Sequence, residues 1–273
     1  MKLRRPVLRK PRRVDLKKTL FILPNLITLT SIFCGFDSIR ISAKATTDAE
    51  FQSAALLIVF AMFFDMLDGR VARMTKTQSA FGLQIDSLAD VVSFGVAPSL
   101  LVYQWSLSAL GTVGLVGSFL FTACGAVRLA RFNVLSMGEQ GKPVKPSKYI
   151  VGLPIPGAAG ILISIVVANH AAGTELGSAR FAWIILAVVA TLSFFMVSTI
   201  KFRSFKEIRP NARTLLLVAF MVGSSIFVSV RLGPAFVLCW LLGCYLALGV
   251  FESTRDIVKN VFTPPRDSLP PGP

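Results

Sequence analysis

Eight predominantly apolar stretches, near 20–36, 51–73, 87–105, 109–130, 150–169, 180–199, 213–230 and 233–251, occupy most of the chain. A helix needs about 20 such residues to cross the hydrocarbon of a bilayer. The pattern therefore predicts an all-α polytopic membrane helical bundle with about eight transmembrane helices. Composition agrees: of 273 residues, 53% are hydrophobic and 16% charged, whereas a soluble domain carries roughly 25% charged residues. A mean hydropathy of +0.67 sets aside a secreted, disordered or ordinary cytosolic chain. The fifth stretch opens IVGLPIPGAAG, so its helix is expected to start irregularly, with neighbouring helices satisfying the freed backbone groups.

The charges give the orientation. Residues 1–19 carry Lys2, Arg4, Arg5, Arg9, Lys10, Arg12, Arg13, Lys17 and Lys18. With that arm inside and eight spans, the inside loops also hold Arg70, Arg73 and Lys76, then Arg128, Arg131, Lys142, Lys145 and Lys148, then Lys201, Arg203, Lys206, Arg209 and Arg213, and in the tail Arg255, Lys259 and Arg266. Outside remain Arg40, Lys44, Arg180 and Arg231, balanced by Asp37, Asp48, Glu50 and Glu175, so the whole net charge of +15 falls on one face. That is the positive-inside pattern, and it predicts a multi-pass membrane protein with both termini in the cytoplasm; the bacterial cytoplasmic (inner) membrane is the expected location.

Basic residues spread over every inside loop do not form a recognition module, so nucleic acid is not an expected partner. The reading divides the chain into a basic arm at 1–19 suited to anionic lipid head groups, one transmembrane domain at 20–251, and a tail at 252–273, proline-rich at its end. The arm lacks a clear small-residue cleavage site, so it is not read as a cleavable signal peptide. Cys34, Cys124, Cys239 and Cys244 lie in apolar stretches without CxxC spacing and read as small buried hydrophobes. The sole histidine, His170, reads as a loop residue, which disfavours histidine-rich metal sites and triads needing His.

Four of the fourteen acidic residues crowd the junction of the second and third segments, in FFDMLDGRVARMTKTQSAFGLQIDSLADVVSFG. Asp65 and Asp68, three apart, share a helix face, as do Asp86 and Asp90, four apart. Ionised carboxylates near lipid are costly, so they face a polar cavity and a partner. Two such pairs on antiparallel helices can converge into an oxygen cage, which suits Mg²⁺ or Mn²⁺. Fourteen residues from Phe51 to Asp65 advance about 21 Å, toward the cytoplasmic face, where a phosphate-bearing substrate can enter from water while its lipid tail stays in the bilayer. Arg73 is placed to hold phosphate oxygens, and the connecting turn adds Lys76, Thr77 and Ser79. Charge balance against Arg70, Arg73 and Lys76 would account for one aspartate near a helix end; it does not account for two same-face pairs beside Gly69 and Gly82. An ion-coupled transporter site is the stronger rival.

The pattern Asp65-x-x-Asp68-Gly69-x-x-Ala72-Arg73, eight residues, then Gly82-x-x-x-Asp86-x-x-x-Asp90 resembles the signature of the CDP-alcohol phosphotransferase family at every defined position. The resemblance implies a membrane enzyme that moves a phosphatidyl or similar group from a CDP-linked donor to an alcohol and releases CMP. It implies two divalent metals on Asp65, Asp68, Asp86 and Asp90, with Asp90 also the general base. It implies donor contacts from Gly69, Arg73 and Ser79, and, through the likeness of the Pro24–Asn25 segment to the family's first helix, from Asn25, Leu26, Ile27 and Thr28.

Outside the motif, PNLITLTSIFCGF, LADVVSFGVAPSLLVY, RLARFNV and GLPIPGAAG resemble the phosphatidylserine synthase branch, so the resemblance covers roughly residues 20 to 160. That branch implies CDP-diacylglycerol and L-serine as substrates. Relatives are homodimers, and a homodimer is expected. Serine carries a carboxylate, so its site should hold a basic residue near Asp90; Arg128, Arg131 and Lys148 are the candidates, with Asn133 and Ser93 as hydrogen-bonding partners. Glycerol phosphate, inositol phosphate or choline is the alternative acceptor. A phosphorylated acceptor would need a denser cationic pocket.

Overall fold

Three cross-helix hydrogen bonds set the register of the first two helices, α1 (Leu16–Ser42) and α2 (Asp48–Met74). Ser38 Oγ donates to the Ala54 carbonyl at 2.8 Å, Ser31 Oγ to the Ala61 carbonyl at 3.0 Å, and Thr28 Oγ1 to Asp68 at 2.5 Å. The pairing runs antiparallel, and the fully buried Ala54, Ala55, Ile58 and Ala61 on α2 let the backbones approach closely, as small residues do between membrane helices. A capping box opens α2: Thr47 accepts from the Glu50 N–H while Glu50 accepts from the Thr47 N–H, satisfying two donors the helix cannot. The computed structural model describes residues 16–75, 77, 79–136, 149–203, 212–234, 236–244 and 247–249.

Ser79 caps α3 (Ala80–Asp90) by accepting from the Gly82 N–H at 3.0 Å. The helix passes through a π-helical turn, Val91–Val96, into α4 (Ala97–Trp105). Pro98, in the first turn of α4, has no N–H to donate; the widened turn, in which the Ala97 N–H reaches the Val92 carbonyl, accommodates it without a break. The Gly95 carbonyl there accepts from Thr122 Oγ1 at 3.1 Å. At Gly35 of α1 a Cβ would stand 2.7 Å from Ser93 Oγ, so glycine is what lets α1 press onto the π turn.

After α5 (Thr112–Ser136), strand β1 (Tyr149–Val151) pairs antiparallel with β2 (Lys201–Arg203), with Ile150 opposite Phe202. Between them run α6 (Ile155–Ala172) and α7 (Ala182–Val197), and α8 (Ala212–Leu232) follows β2. The fifth segment does begin irregularly: Gly152 takes a φ of +79°, and the helix starts only at Ile155. α6 is apolar on nearly every side and forms the core, with Ile155, Ala158, Leu162, Ile163 and Val166 against α2, α4 and α7.

Among the described residues, four stretches are long and apolar enough to cross a membrane: Ala80–Trp105, Thr112–Leu135, Ile155–Ala172 and Ala179–Val197. α1 and α2, at 27 residues each, also exceed bilayer thickness, but Pro24, Asn25, Asp65 and Asp68 dilute their apolar runs. The last two apolar helices are shorter, Ala219–Arg231 and Phe236–Gly249. The protein is thus a helical membrane protein with four candidate spans among the described residues. The four cysteines are free thiols.

Candidate active site

Helix periodicity brings Asp65 and Asp68 to one side of α2, and Asp86 and Asp90 to one side of α3. Packing then makes the two sides face each other. One carboxylate oxygen from each of Asp65, Asp68 and Asp86 lies within 4.8 Å of the others. Asp90 joins them through a side-chain hydrogen-bond contact with Asp65. Asp68 is buried, and Thr28 Oγ1 donates to its Oδ2.

Among the described residues no cation forms an ion pair with Asp65, Asp68 or Asp86; the one such pair is Arg40 with Asp37, elsewhere on α1. Two unit charges 4.8 Å apart repel by roughly 3 kcal/mol at an effective dielectric of about 20. Three carboxylates held this close, offering oxygen and neither nitrogen nor sulfur, fit a hard divalent cation.

Around this centre the expected donor residues sort by face. A Cβ at Gly82 would lie 3.2 Å from Ser79 Oγ and 3.9 Å from Asn25 Oδ1, so Asn25, Ser79 and Gly82 meet where α1 passes the start of α3. A Cβ at Gly69 would lie 3.8 Å from Arg73 Nη1, placing the Arg73 guanidinium beside the bare backbone after Asp68. Ile27 is half-buried. Leu26 is 53% exposed, and the structure does not bring it to the site: Asn25 and Thr28 share a face of α1 that Leu26 leaves by about 100° of helix turn.

The acceptor candidates part more sharply. Arg128 is buried on α5, and its charge acts on Asp90; its guanidinium also stands 5.7 Å from the Phe132 ring centroid. Asn133 reaches α3, donating from Nδ2 to Ser87 Oγ at 2.9 Å. Arg131 points elsewhere, with Nη1 donating to the Val197 carbonyl at 2.9 Å and Nη2 to the Val151 and Ser198 carbonyls at 3.3 Å each. It ties α5 to β1 and to the carbonyl-bearing end of α7, groups a helix C-terminus leaves unsatisfied. Ser93 is fully buried and donates to the Ser31 carbonyl at 3.0 Å, which makes it a packing contact between α1 and the π turn. Lys148 lies outside the described residues. Ser87 is not among the residues expected at the site; it is one position from Asp86 and three from Asp90, and that spacing is the signal that marks it.

Comparison with known proteins bears on this geometry. The family model described as CDP-alcohol phosphatidyltransferase matches residues 21–197. A Helicobacter pylori protein named CDP-diacylglycerol--serine O-phosphatidyltransferase is 36% identical over 243 residues, 89% of this chain and 95% of its own length. A Bacillus subtilis protein of the same name is 35% identical over 186 residues, 68% of this chain and 92% of its own. An archaetidylserine synthase from Methanothermobacter thermautotrophicus is 38% identical over 191 residues, 69% and 72% of the two chains. The match spans α1 to α7 and therefore contains every aspartate of the cluster, and the chain belongs to the CDP-alcohol phosphatidyltransferase family.

Proposed function

We propose that this enzyme transfers the phosphatidyl group of CDP-diacylglycerol to the hydroxyl of L-serine, giving phosphatidylserine and CMP. The observation that carries the reading is the convergence of Asp65, Asp68 and Asp86, with Asp90 touching Asp65 on the side where Arg128 stands. The names of the relatives support serine as the acceptor. Asp65, Asp68, Asp86 and Asp90 would hold the divalent metal, two Mg²⁺ or Mn²⁺ ions per site. Bound there, the metal would neutralise the diphosphate and polarise the phosphorus under attack.

The protein's own groups supply the remaining steps. Arg73 and the bare backbone at Gly69 receive the donor diphosphate, while Asn25, Thr28 and Ser79 border it from α1 and the connecting turn. Asp90 accepts the proton of the serine hydroxyl. The hydroxyl oxygen bonds to the phosphatidyl phosphorus as the anhydride bond breaks, and CMP departs with the bridging oxygen. Arg128 offers its charge to the serine carboxylate. No covalent protein nucleophile is needed.

The reading further places eight helices across the bacterial inner membrane, adding α1, α2, α8 and Phe236–Gly249 to the four candidate spans. Both termini and the site then lie on the cytoplasmic face that collects the basic residues, and the working form is a homodimer.

The deciding experiment is CMP release from CDP-diacylglycerol by the purified protein with Mg²⁺ or Mn²⁺, with and without L-serine, beside Asp90→Asn. Serine-dependent release that Asp90→Asn lowers by about 10²–10⁴-fold is the expected result. Release only with glycerol phosphate, inositol phosphate or choline would keep the site and discard serine. Substrate flux without CMP release would replace the enzyme by a transporter.

A further inference from the structure

We propose that Asn133, oriented by Ser87, recognises the ammonium group of a vicinal amino alcohol and thereby selects the acceptor; the proposal rests on the phosphatidyl-transfer reading above. Ser87 Oγ donates its one proton to the Leu83 carbonyl at 3.1 Å, so toward Asn133 it can only accept. The amide of Asn133 must then present Nδ2 to Ser87, as it does at 2.9 Å, and its Oδ1 is left as an acceptor. Among the described residues that buried Oδ1 has no hydrogen-bond partner, and the same holds for Oδ1 of Asp90. Asp90 follows Ser87 by three positions, so both leave the same face of α3.

A buried amide oxygen left without a donor carries a desolvation cost that a ligand rich in N–H can remove. A vicinal amino alcohol carries both donors on adjacent carbons: the hydroxyl proton goes to Asp90, and an ammonium hydrogen goes to Asn133. A phosphorylated polyol would bring anionic oxygens toward the same carboxylate and is disfavoured on charge.

The test compares L-serine with 3-hydroxypropionate, which is serine without its ammonium, in CMP release by the full-length protein, Asn133→Leu, Asn133→Asp and Ser87→Ala. The wild type should prefer serine by about 100-fold or more in kcat/KM. Asn133→Leu should raise the serine KM about 10-fold or more and shrink that preference, with the KM for CDP-diacylglycerol unchanged as the sign of an intact fold. Asn133→Asp keeps the acceptor oxygen and should retain serine binding. Ser87→Ala frees the amide to turn and should raise the serine KM several-fold with a smaller change in kcat.

An unchanged serine KM in Asn133→Leu, or equal losses with both acceptors, overturns the ammonium role while leaving the phosphatidyltransferase reading in place. Failure of the wild type to use serine at all overturns both.

Discussion

Thr28 on α1 donates a 2.5 Å hydrogen bond to Asp68 Oδ2 on α2, forty positions along the chain. The hydroxyl also lies 3.1 Å from the Pro24 carbonyl, and of the two acceptors the carboxylate is both closer and the stronger partner. The bond fixes the rotamer of one carboxylate of the cluster and occupies one of its lone pairs, so it orients from behind a carboxylate proposed to hold the metal. Replacing Thr28 by Val keeps the shape and removes only the donor. Such outer partners are worth about 10–100-fold in metal affinity, so Thr28→Val should shift the Mg²⁺ or Mn²⁺ requirement for CMP release upward by about 10-fold, and Thr28→Ser should restore it. A metal titration with the same midpoint in Thr28→Val would remove this role.

Metal should also be visible in stability, independently of turnover. A ligand that binds only the folded state stabilises it by about 2.7 kcal/mol at 100 times its dissociation constant. Thermal unfolding in detergent should therefore move up when Mg²⁺ or Mn²⁺ replaces EDTA. In Asp86→Asn the cluster of Asp65, Asp68 and Asp86 loses one anionic ligand, so the shift should fall sharply, while the metal-free variant should unfold no earlier than the metal-free wild type because like-charge repulsion has been relieved. Equal metal-induced shifts in the two proteins would argue against a cation at this cluster.

The cluster was legible because its signals are local: two same-face pairs at spacings of three and four, with glycines beside them. Apolarity alone starts the third segment at residue 87, whereas the helix begins at Ala80 behind its Ser79 cap. Leu26 enters only through the resemblance of the first helix, and helix periodicity separates it from Asn25 and Thr28. Arg128 and Arg131 were not separable at all. They stand three apart on one helix and both follow the positive-inside pattern, and what distinguishes them is the C-terminal end of α7, 65 or more residues away, whose carbonyls take the Arg131 guanidinium.

That engagement makes Arg131 testable as a tie between elements. Its removal would leave part-buried carbonyls at Val151 and Ser198 without these donors, at about 1–3 kcal/mol for loss of such a partner. Arg131→Ala should therefore lower the unfolding temperature while leaving the serine KM of the remaining folded protein within about two-fold. A serine KM raised about 10-fold at unchanged stability would return Arg131 to the acceptor site.

At the opposite end of the α1–α2 pair, Glu50 Oε2 accepts from the Thr46 N–H at 2.8 Å and the Thr47 N–H at 3.0 Å, just ahead of the apolar run read at 51–73. These hydrogen bonds favour the ionised form and hold the carboxyl below its ordinary value of 4.5. A group whose pKa is lowered by folding stabilises the native state above its unfolded value, and that contribution is lost as pH falls through the folded value. Glu50→Gln keeps a side-chain acceptor for the capping box and removes only the charge. Wild type should unfold at a higher temperature than Glu50→Gln near neutral pH, and the two should converge as pH drops below 4.5 and on through the lowered folded pKa. A difference that stayed constant over this range would show that the ionised carboxylate contributes nothing to the start of α2.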